Sequence, residues 1–406
     1  MDLQYSSEDL AFQDEVRRWL REHLPREPQR TPGAKKQWHR ALYDAGFVGM
    51  GWPREYGGWE RRPMEQAIVA EEMARHNAPP PMNYMGIATA GPTIIHHGTR
   101  AQKRRFLRNI LTADELWCQL FSEPNAGSDL ASLQCRADID GDTFVVNGQK
   151  IWTSSANEAD WGLLLARTDR AARKHAGISA MLVDMRSPGI DVRALKQITG
   201  VEEEFAEVFF TNVVVPVENL VGELNTGWQV AQTPLIYERG AETMLVVGRL
   251  QQQFSRLLDV TTALRRDGAS AIEHPATRQK LGSIAAELEV LRYASLRTLS
   301  RIEKGEHPGP EASIAKLHWT ELDKRAQELM VEILGPYGQQ VTGIPSQYAL
   351  DVGNESGDRG DWPYFLGWAY AGTIYAGSSQ IQRNIIGERV LGLPKEARAD
   401  RLAQQS

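Results

Sequence analysis

The sequence predicts an α+β multidomain chain whose helical and β units follow one another in blocks, and three observations carry that reading. Apolar residues recur at helical spacing from Ser7 to about Leu120, and short alternating runs split by turn dipeptides fill Glu123 to Gly222. Long helical patterns then return from Trp228 to about Leu391. A doubly wound sheet needs strands and helices to alternate, and here they do not. At roughly 150 residues per domain the length gives about three units, drawn at residues 1–120, 121–226 and 227–406.

In the first unit Leu10, Val16 and Leu20 mark one helical face, and the run Ala67 to Arg75 is followed by Pro79-Pro80-Pro81. Proline has no N–H to continue a helical ladder, so the pattern stops there. Between them, Gly51-Trp52-Pro53-Arg54-Glu55-Tyr56-Gly57-Gly58 holds too many breakers to be the interior of an element. The second unit reads as Arg136–Ile139, Thr143–Val146 and Gln149–Thr153, turned at Asp140-Gly141 and Asn147-Gly148 as consecutive hairpins. Further strands are expected at Gly162–Arg167, Ile178–Met185, Ile190–Leu195 and Val208–Val215, spacings that suit a compact sandwich or barrel. In the third unit the helical patterns cover Leu235–Leu250, Arg278–Lys304 and Glu311–Leu334, the last ended by Gly335-Pro336. Three or four long helices imply a bundle.

Lys and Arg number 46 against 52 Asp and Glu, a net charge of −6 that argues against general nucleic-acid binding. Lys103-Arg104-Arg105 reads as a solvated helix face. Two cysteines, Cys118 and Cys135, make neither a disulfide framework nor a zinc site, which favours a reducing setting. The Met1-Asp2-Leu3-Gln4 start lacks the basic and apolar regions of a secretory signal. No apolar run approaches the ~18 residues of a membrane span, so a cytoplasmic protein without a membrane partner is expected.

The common catalytic signatures are missing: there is no Walker A loop, no Gly-x-Gly-x-x-Gly between a strand and a helix, no Gly-x-Ser-x-Gly elbow and no His-Glu-x-x-His pair. His96-His97 are adjacent, share no helix face and have no carboxylate at ligand spacing, so a packed or hydrogen-bonded pair is expected and no metal. Three segments remain. Phe121-Ser122-Glu123-Pro124-Asn125-Ala126-Gly127-Ser128-Asp129 is a small-residue loop at the helix-to-sheet switch, where backbone N–H groups can approach a planar polar ligand. Lys150-Ile151-Trp152-Thr153-Ser154-Ser155 puts an aromatic and then hydroxyls on a strand. Tyr375-Ala376-Gly377-Ser378-Ser379-Gln380-Ile381-Gln382-Arg383-Asn384 closes the pattern. The alternatives are Trp152 as a core aromatic and Ser128 as a helix cap.

Together, and with Val215-Pro216 followed by Asn219-Leu220-Val221-Gly222-Glu223, these segments resemble the acyl-CoA dehydrogenase flavoprotein family over essentially the whole chain. The Gly51-Trp52-Pro53 loop and the Ile385–Leu393 ending look most like the bacterial branch that handles bulky, dicarboxylic or steroid-derived acyl-CoAs. The resemblance implies an N-terminal helical domain, a central β-barrel and a C-terminal four-helix bundle, with FAD between barrel and bundle and its adenine end touching a neighbouring subunit. It implies that Gln119, Phe121, Ser122, Gly127 and Ser128 line the flavin and the thioester, and that Trp152 and Ser154 lie against the isoalloxazine ring. Glu332, Gly335, Ser378 and Gln380 would face the adenosine half, and Ser128, Arg239, Tyr375 and Ala376 the substrate. The arginine that many members place on the FAD pyrophosphate has no clear counterpart near Arg265-Arg266. Implied partners are an acyl-CoA thioester and an electron-transferring flavoprotein, in a homodimer, a homotetramer or a heteromer.

The family's reaction removes a proton α to a thioester and passes a hydride from the β carbon to the flavin, so a carboxylate is required. Many members carry it directly after the tyrosine of the terminal motif, and here that position is Ala376. A second branch carries it on the first long bundle helix, before an arginine, where this chain has Tyr237-Glu238-Arg239. Glu238 is therefore the candidate base, and Ala376 keeps a backbone N–H able to act as an oxyanion donor. Flanking Leu235, Ile236 and Leu245–Val247, with Glu242 one turn on, would raise the carboxyl pKa by desolvation and like-charge repulsion. Read without the resemblance, Glu238-Arg239 is an ordinary charged pair at a helix start. The competing functions are a flavin-dependent oxidase or monooxygenase on the same fold and a non-catalytic subunit of a heteromeric dehydrogenase.

Overall fold

The computed structural model describes residues 5–26, 31–200, 204–237, 241–266, 268–306, 309–310, 312–340, 344–350, 352–353 and 359–395. Five helices come first: α1 (Ser7–His23), α2 (Pro32–Asp44), α3 (Pro63–Arg75), α4 (Gly91–His97) and α5 (Arg100–Leu111). Ser6 and Thr99 begin α1 and α5 with capping boxes that satisfy the first free N–H groups. Val16 and Leu20 are fully buried on α1, whereas Leu10 is 48% exposed and lies outside that core. His97 bonds Thr233 Oγ1 at 2.6 Å, and the two histidine rings stand 6.4 Å apart.

Eight strands follow: β1 (Trp117–Leu120), β2 (Arg136–Asp140), β3 (Thr143–Ser154), β4 (Trp161–Arg167), β5 (Ile178–Asp184), β6 (Ile190–Ala194), β7 (Phe205–Pro216) and β8 (Leu220–Val221). They form one sheet in the order β6-β7-β3-β2-β4-β5-β8, with β1 parallel to β4. The apolar runs of β4 and β5 have a simple cause. Leu163, Leu165, Ile178, Ala180 and Leu182 pack with the N-terminal helices, while Leu164, Ala166, Met181 and Val183 fill the interior of the β domain. Strands buried on both faces cannot alternate with polar residues.

One expected turn is absent. β3 runs straight through Asn147-Gly148, because β7 pairs with it on both sides of that dipeptide, from Val146↔Val213 to Gly148↔Phe210. The extra residue sits in β7, where Asn212 takes φ 51° and donates its N–H to Asn147 Oδ1 at 2.9 Å. Gly148 is required by a close approach, since a Cβ there would stand 2.7 Å from Cys135 Cα. The two expected hairpins in this stretch are thus one hairpin, β2 to β3, with a bulge beyond it.

The C-terminal part comprises α6 (Gly227–Tyr237), α7 (Ala241–Ala263), α8 (Pro275–Glu303), α9 (Ala312–Leu334), α10 (Trp362–Gly372) and α11 (Ser379–Ile385). Val247, Leu257, Leu288, Leu291, Leu329, Met330 and Trp362 form the bundle core across four of them. Gly248 lets α7 lie directly on α3, for a Cβ there would meet Ala74 Cβ at 2.9 Å. This contact joins the first and last blocks.

On the outer side of the bundle, Arg325 of α9 donates both terminal nitrogens to Glu287 of α8, and His318 adds a third contact at 3.3 Å. The Arg325 guanidinium holds the Glu287 carboxyl down at about 2. A carboxyl lower in the folded chain than in the unfolded one stabilises above its ordinary value, and that contribution fades as pH falls toward 2. Glu287→Gln should lower the melting temperature near pH 7 by about 1–3 °C and flatten its decline with acid. Melting curves of both proteins between pH 7 and pH 3 test this; parallel acid limbs would remove Glu287 from the balance.

Candidate active site

The loop after β1 is built around a buried ion pair that sequence reasoning did not single out. Glu123 and Ala126 exchange two backbone hydrogen bonds, at 3.1 and 3.0 Å, which closes the loop and leaves Pro124 and Asn125 exposed. Lys150 is fully buried on β3, and its ammonium donates to Glu123 Oε1 at 2.8 Å and to the Phe121 carbonyl at 2.9 Å. Glu123 also accepts the N–H groups of Gln134 and Cys135, at 2.6 and 2.9 Å. A signal for this was present: Phe144, Val146 and Lys150 share one face of β3, and a lysine facing a core needs a carboxylate there.

The same strand then bulges. Lys150 pairs with Val208 and Thr153 with Ala206, so β3 carries one residue more than β7 between these pairs. Trp152 takes φ 60° in this bulge and its indole is 59% exposed, so the core-aromatic alternative does not describe it. A large side chain in the left-handed region is strained, and such residues gather at functional sites. Behind it the Ile151 N–H donates to the Ser122 carbonyl at 2.9 Å, which ties the bulge to the loop.

From Trp152 a row of aromatic rings crosses to the bundle. Its indole meets Phe205 edge-on with centroids 6.1 Å apart, Phe205 lies 5.7 Å from Trp368 of α10, and Trp368 lies 6.4 Å from Tyr375. Trp319 of α9 stands on the other side of Tyr375, also at 6.4 Å. Polar contacts lock this junction: Trp368 Nε1 donates to Tyr364 Oη at 2.5 Å, and Tyr364 Oη donates to Glu204 Oε1 at 2.7 Å.

The structure thus brings together Phe121, Ser122, Trp152, Ser154, Tyr375 and Ala376, along one seam between sheet and bundle. Gln119 is half-buried on β1, two residues before the loop; Gly127 and Ser128 are exposed at its far side, and a Cβ on Gly127 would meet nothing. Ser128 caps no helix, since the short 3-10 turn that follows starts after Asp129. Ser378 caps α11, and Gln380 is exposed on it. Glu332 lies near the C-terminal end of α9, eleven residues beyond Glu321, which accepts from Ser379 Oγ, and Gly335 follows just after the helix. At 1.5 Å per residue that is about 16 Å along the helix, so these four do not form one cluster within a single chain. Glu238 and Arg239 lie outside the described residues.

Arg266 has a local task. Its guanidinium donates to the carbonyls of Glu332 and Ile333, at 3.0 and 2.6 Å, and so caps α9. Cys118 and Cys135 are buried free thiols pushed up to about 12 and 11 by desolvation, so neither is a nucleophile.

Residues 6–114, 118–213 and 225–391 match, in that order, the N-terminal, middle and C-terminal domains of acyl-CoA dehydrogenases. The acyl-CoA dehydrogenase IpdE1 of Mycobacterium tuberculosis is 38% identical over 399 residues, which cover 95% of this chain and 98% of that protein. The chain belongs to the acyl-CoA dehydrogenase family. Two solved relatives superpose over nearly its full length. A structure titled Tcur3481-Tcur3483 steroid ACAD is 30% identical with a TM-score of 0.85, covering 98% of this chain and 100% of that one. The ChsE4-ChsE5 complex from Mycobacterium tuberculosis is 30% identical with a TM-score of 0.81 and the same coverage.

Acyl-CoA dehydrogenases are FAD-dependent oxidoreductases, and the seam suits a flat, partly polar ring system. Trp152 offers an exposed aromatic face, and the half-buried hydroxyls of Ser122 and Ser154 flank it along loop and strand. The Thr153 hydroxyl is buried between them without a hydrogen-bond partner among the described residues. An unpaired buried hydroxyl is costly, and this one lies next to the side chains that would hold the ring.

Proposed function

We propose that this acyl-CoA dehydrogenase converts an acyl-CoA to its 2,3-enoyl-CoA with Glu238 as the base. One observation carries the reading: the terminal turn presents Ala376 where a carboxylate would stand, and an alanine accepts no proton. The described acids around that turn are engaged. Glu321 accepts from Ser379 and Lys324, and Lys324 holds its carboxyl below the usual range, which makes it a poorer base. Glu204 is bonded to Tyr364 and Gln197. In the sequence Glu238 follows Tyr237, the last described residue of α6.

In this reading the Glu238 carboxylate takes the α proton while the β carbon loses a hydride, and a carbon–carbon double bond forms between them. Bound FAD supplies the two-electron acceptor for that hydride. Phe121, Ser122, Trp152 and Ser154 would hold its ring, with Gln119, Gly127 and Ser128 at the edge of the loop. Ser378 and Gln380 would serve the adenosine half from α11, beside the middle of α9, and Glu332 and Gly335 from its C-terminal end, which suits a second subunit completing the site. Ser128, Arg239, Tyr375 and Ala376 border the thioester. The units 1–120, 121–226 and 227–406 divide the work, and an electron-transferring flavoprotein accepts the electrons.

The names of the relatives, a steroid ACAD among them, favour a bulky, steroid-derived acyl group over a short straight chain. A cytoplasmic location, expected from the sequence, stays part of the proposal; among the described residues no helix is long and apolar enough to cross a membrane. A second reading, in which this chain is one half of a heteromer, draws on the ChsE4-ChsE5 complex and on Arg266, whose guanidinium is spent on capping α9.

Anaerobic titration of the flavin-loaded protein with straight-chain, branched, dicarboxylic and steroid-side-chain acyl-CoAs tests the proposal. Bleaching of the oxidised-flavin band is expected with the bulky class. If no thioester bleaches it and the reduced flavin reacts rapidly with oxygen, the oxidase reading replaces it. Protein that holds FAD only after a second chain is added points to the heteromer.

A further inference from the structure

The turn at Ala376 is held from both sides by one ammonium group. Lys316 of α9 donates to the carbonyl of Gly372, at the end of α10, at 2.8 Å and to that of Gly377 at 2.9 Å. Its nitrogen also lies 5.7 Å from the centre of the Tyr375 ring. Everything between those two carbonyls is the turn that carries Tyr375 and Ala376. Its backbone is unusual, with Ala376 at φ 49° and Gly377 at φ 84°. The left-handed conformation is disfavoured for alanine and persists only when its surroundings impose it. Gln382, 3% exposed, imposes part of it by donating to the carbonyls of Ala376 and Gly377 at 2.9 and 3.3 Å. Ala376 is exposed, and its N–H donates to no acceptor among the described residues.

We propose that Lys316 is a positioning residue that holds the Gly372–Gly377 turn so that the Ala376 N–H is presented to the thioester carbonyl oxygen. This rests on the reading of Ala376 as part of the thioester site. Removing the α proton moves negative charge onto that oxygen, and a donor aimed there lowers the barrier only if it is in place beforehand. A cation bridging the first and last carbonyls of the turn supplies that preorganisation without touching substrate. Burial pushes the Lys316 ammonium down to about 8, so it remains charged at neutral pH. Charged neighbours are Glu321 on the same helix and Arg383 of α11, 3.7 Å from Glu321.

The test is Lys316→Met in the flavin-loaded protein, read three ways. Amide hydrogen exchange of residues 373–378 reports the turn and should accelerate by about tenfold. Turnover at saturating thioester should fall about 10–100-fold with KM within about threefold of wild type. Washout of the α proton into deuterated water, which reads proton removal without hydride transfer, should slow in parallel, and Lys316→Arg should recover part of each loss. A folded Met variant with wild-type turnover and α-proton washout overturns the proposal, as does unchanged amide exchange. Where the Met variant does not accumulate folded, Lys316→Gln takes its place: an amide reaching one carbonyl gives an intermediate loss, and wild-type rates in it are equally fatal. Wild-type protein that no thioester reduces is a separate failure, that of the dehydrogenase reading, and it removes the catalytic role even if the turn loosens as expected.

Discussion

Glu238→Gln is expected to keep its flavin and its fold and to be reduced by acyl-CoA about 10³–10⁴-fold more slowly than the wild type, the upper range for loss of a general base. Glutamine matches glutamate in size and accepts no proton, so the loss falls on chemistry and spares binding. Stopped-flow reduction at saturating thioester measures it directly. Ala376→Glu in the same background is the companion, because it returns a carboxylate to the turn where many members of the family carry one, and partial recovery of reduction is expected. A Gln variant within tenfold of the wild type would return Glu238 to the role of an ordinary helix-start glutamate and would require another acid near the seam.

The largest effect on stability is expected at Lys150. Lys150→Met leaves Glu123 in a buried loop with two backbone N–H donors and without the ammonium bonded to it. Breaking a buried pair by removing one partner costs about 3–5 kcal/mol. The apparent melting temperature should drop by about 4–6 °C. The loop and the Trp152 bulge are stitched through Lys150 and the Ile151 N–H, so flavin should be held more weakly as well. The double variant Lys150→Met with Glu123→Leu is expected to recover much of the stability, since an apolar pair often replaces a buried ion pair without loss. Flavin content need not return with it, because the Phe121 carbonyl loses its donor in both variants. A single variant less than about 1 kcal/mol below wild type in urea would show that the pair is not what holds the loop.

Both expectations lean on parts of the chain that were unequally visible beforehand. The loop Phe121–Asp129 and the terminal segment could be picked out from small residues and motif order alone. Lys150 was seen only as part of a strand motif, and its carboxylate lies 27 positions away in the loop. The aromatic row draws on residues 152, 205, 368 and 375, which no local pattern links. Lys316 carried no signal at all, because its partners are backbone carbonyls on another helix and a turn.

What the amino-acid sequence determined by itself is the block order of helix, sheet and helix, although the first strand, β1, lies within the stretch that reads as helical. Periods of two and of 3.6 are local properties that a single strand or helix displays without its neighbours. The segments proposed to meet a flavin and a thioester were singled out in another way, by the resemblance of their motif order to a known family. Only the tertiary structure decided how those segments act. Asn147-Gly148 is a turn signal in isolation, yet β7 arrives from sixty positions downstream and pairs on both sides, so the strand continues. The same pairing one step later forces the extra residue that turns the Trp152 indole out of the core. Hydrogen bonds to a partner strand are worth more than the preference of two residues for a turn, and that partner is invisible from the position it controls.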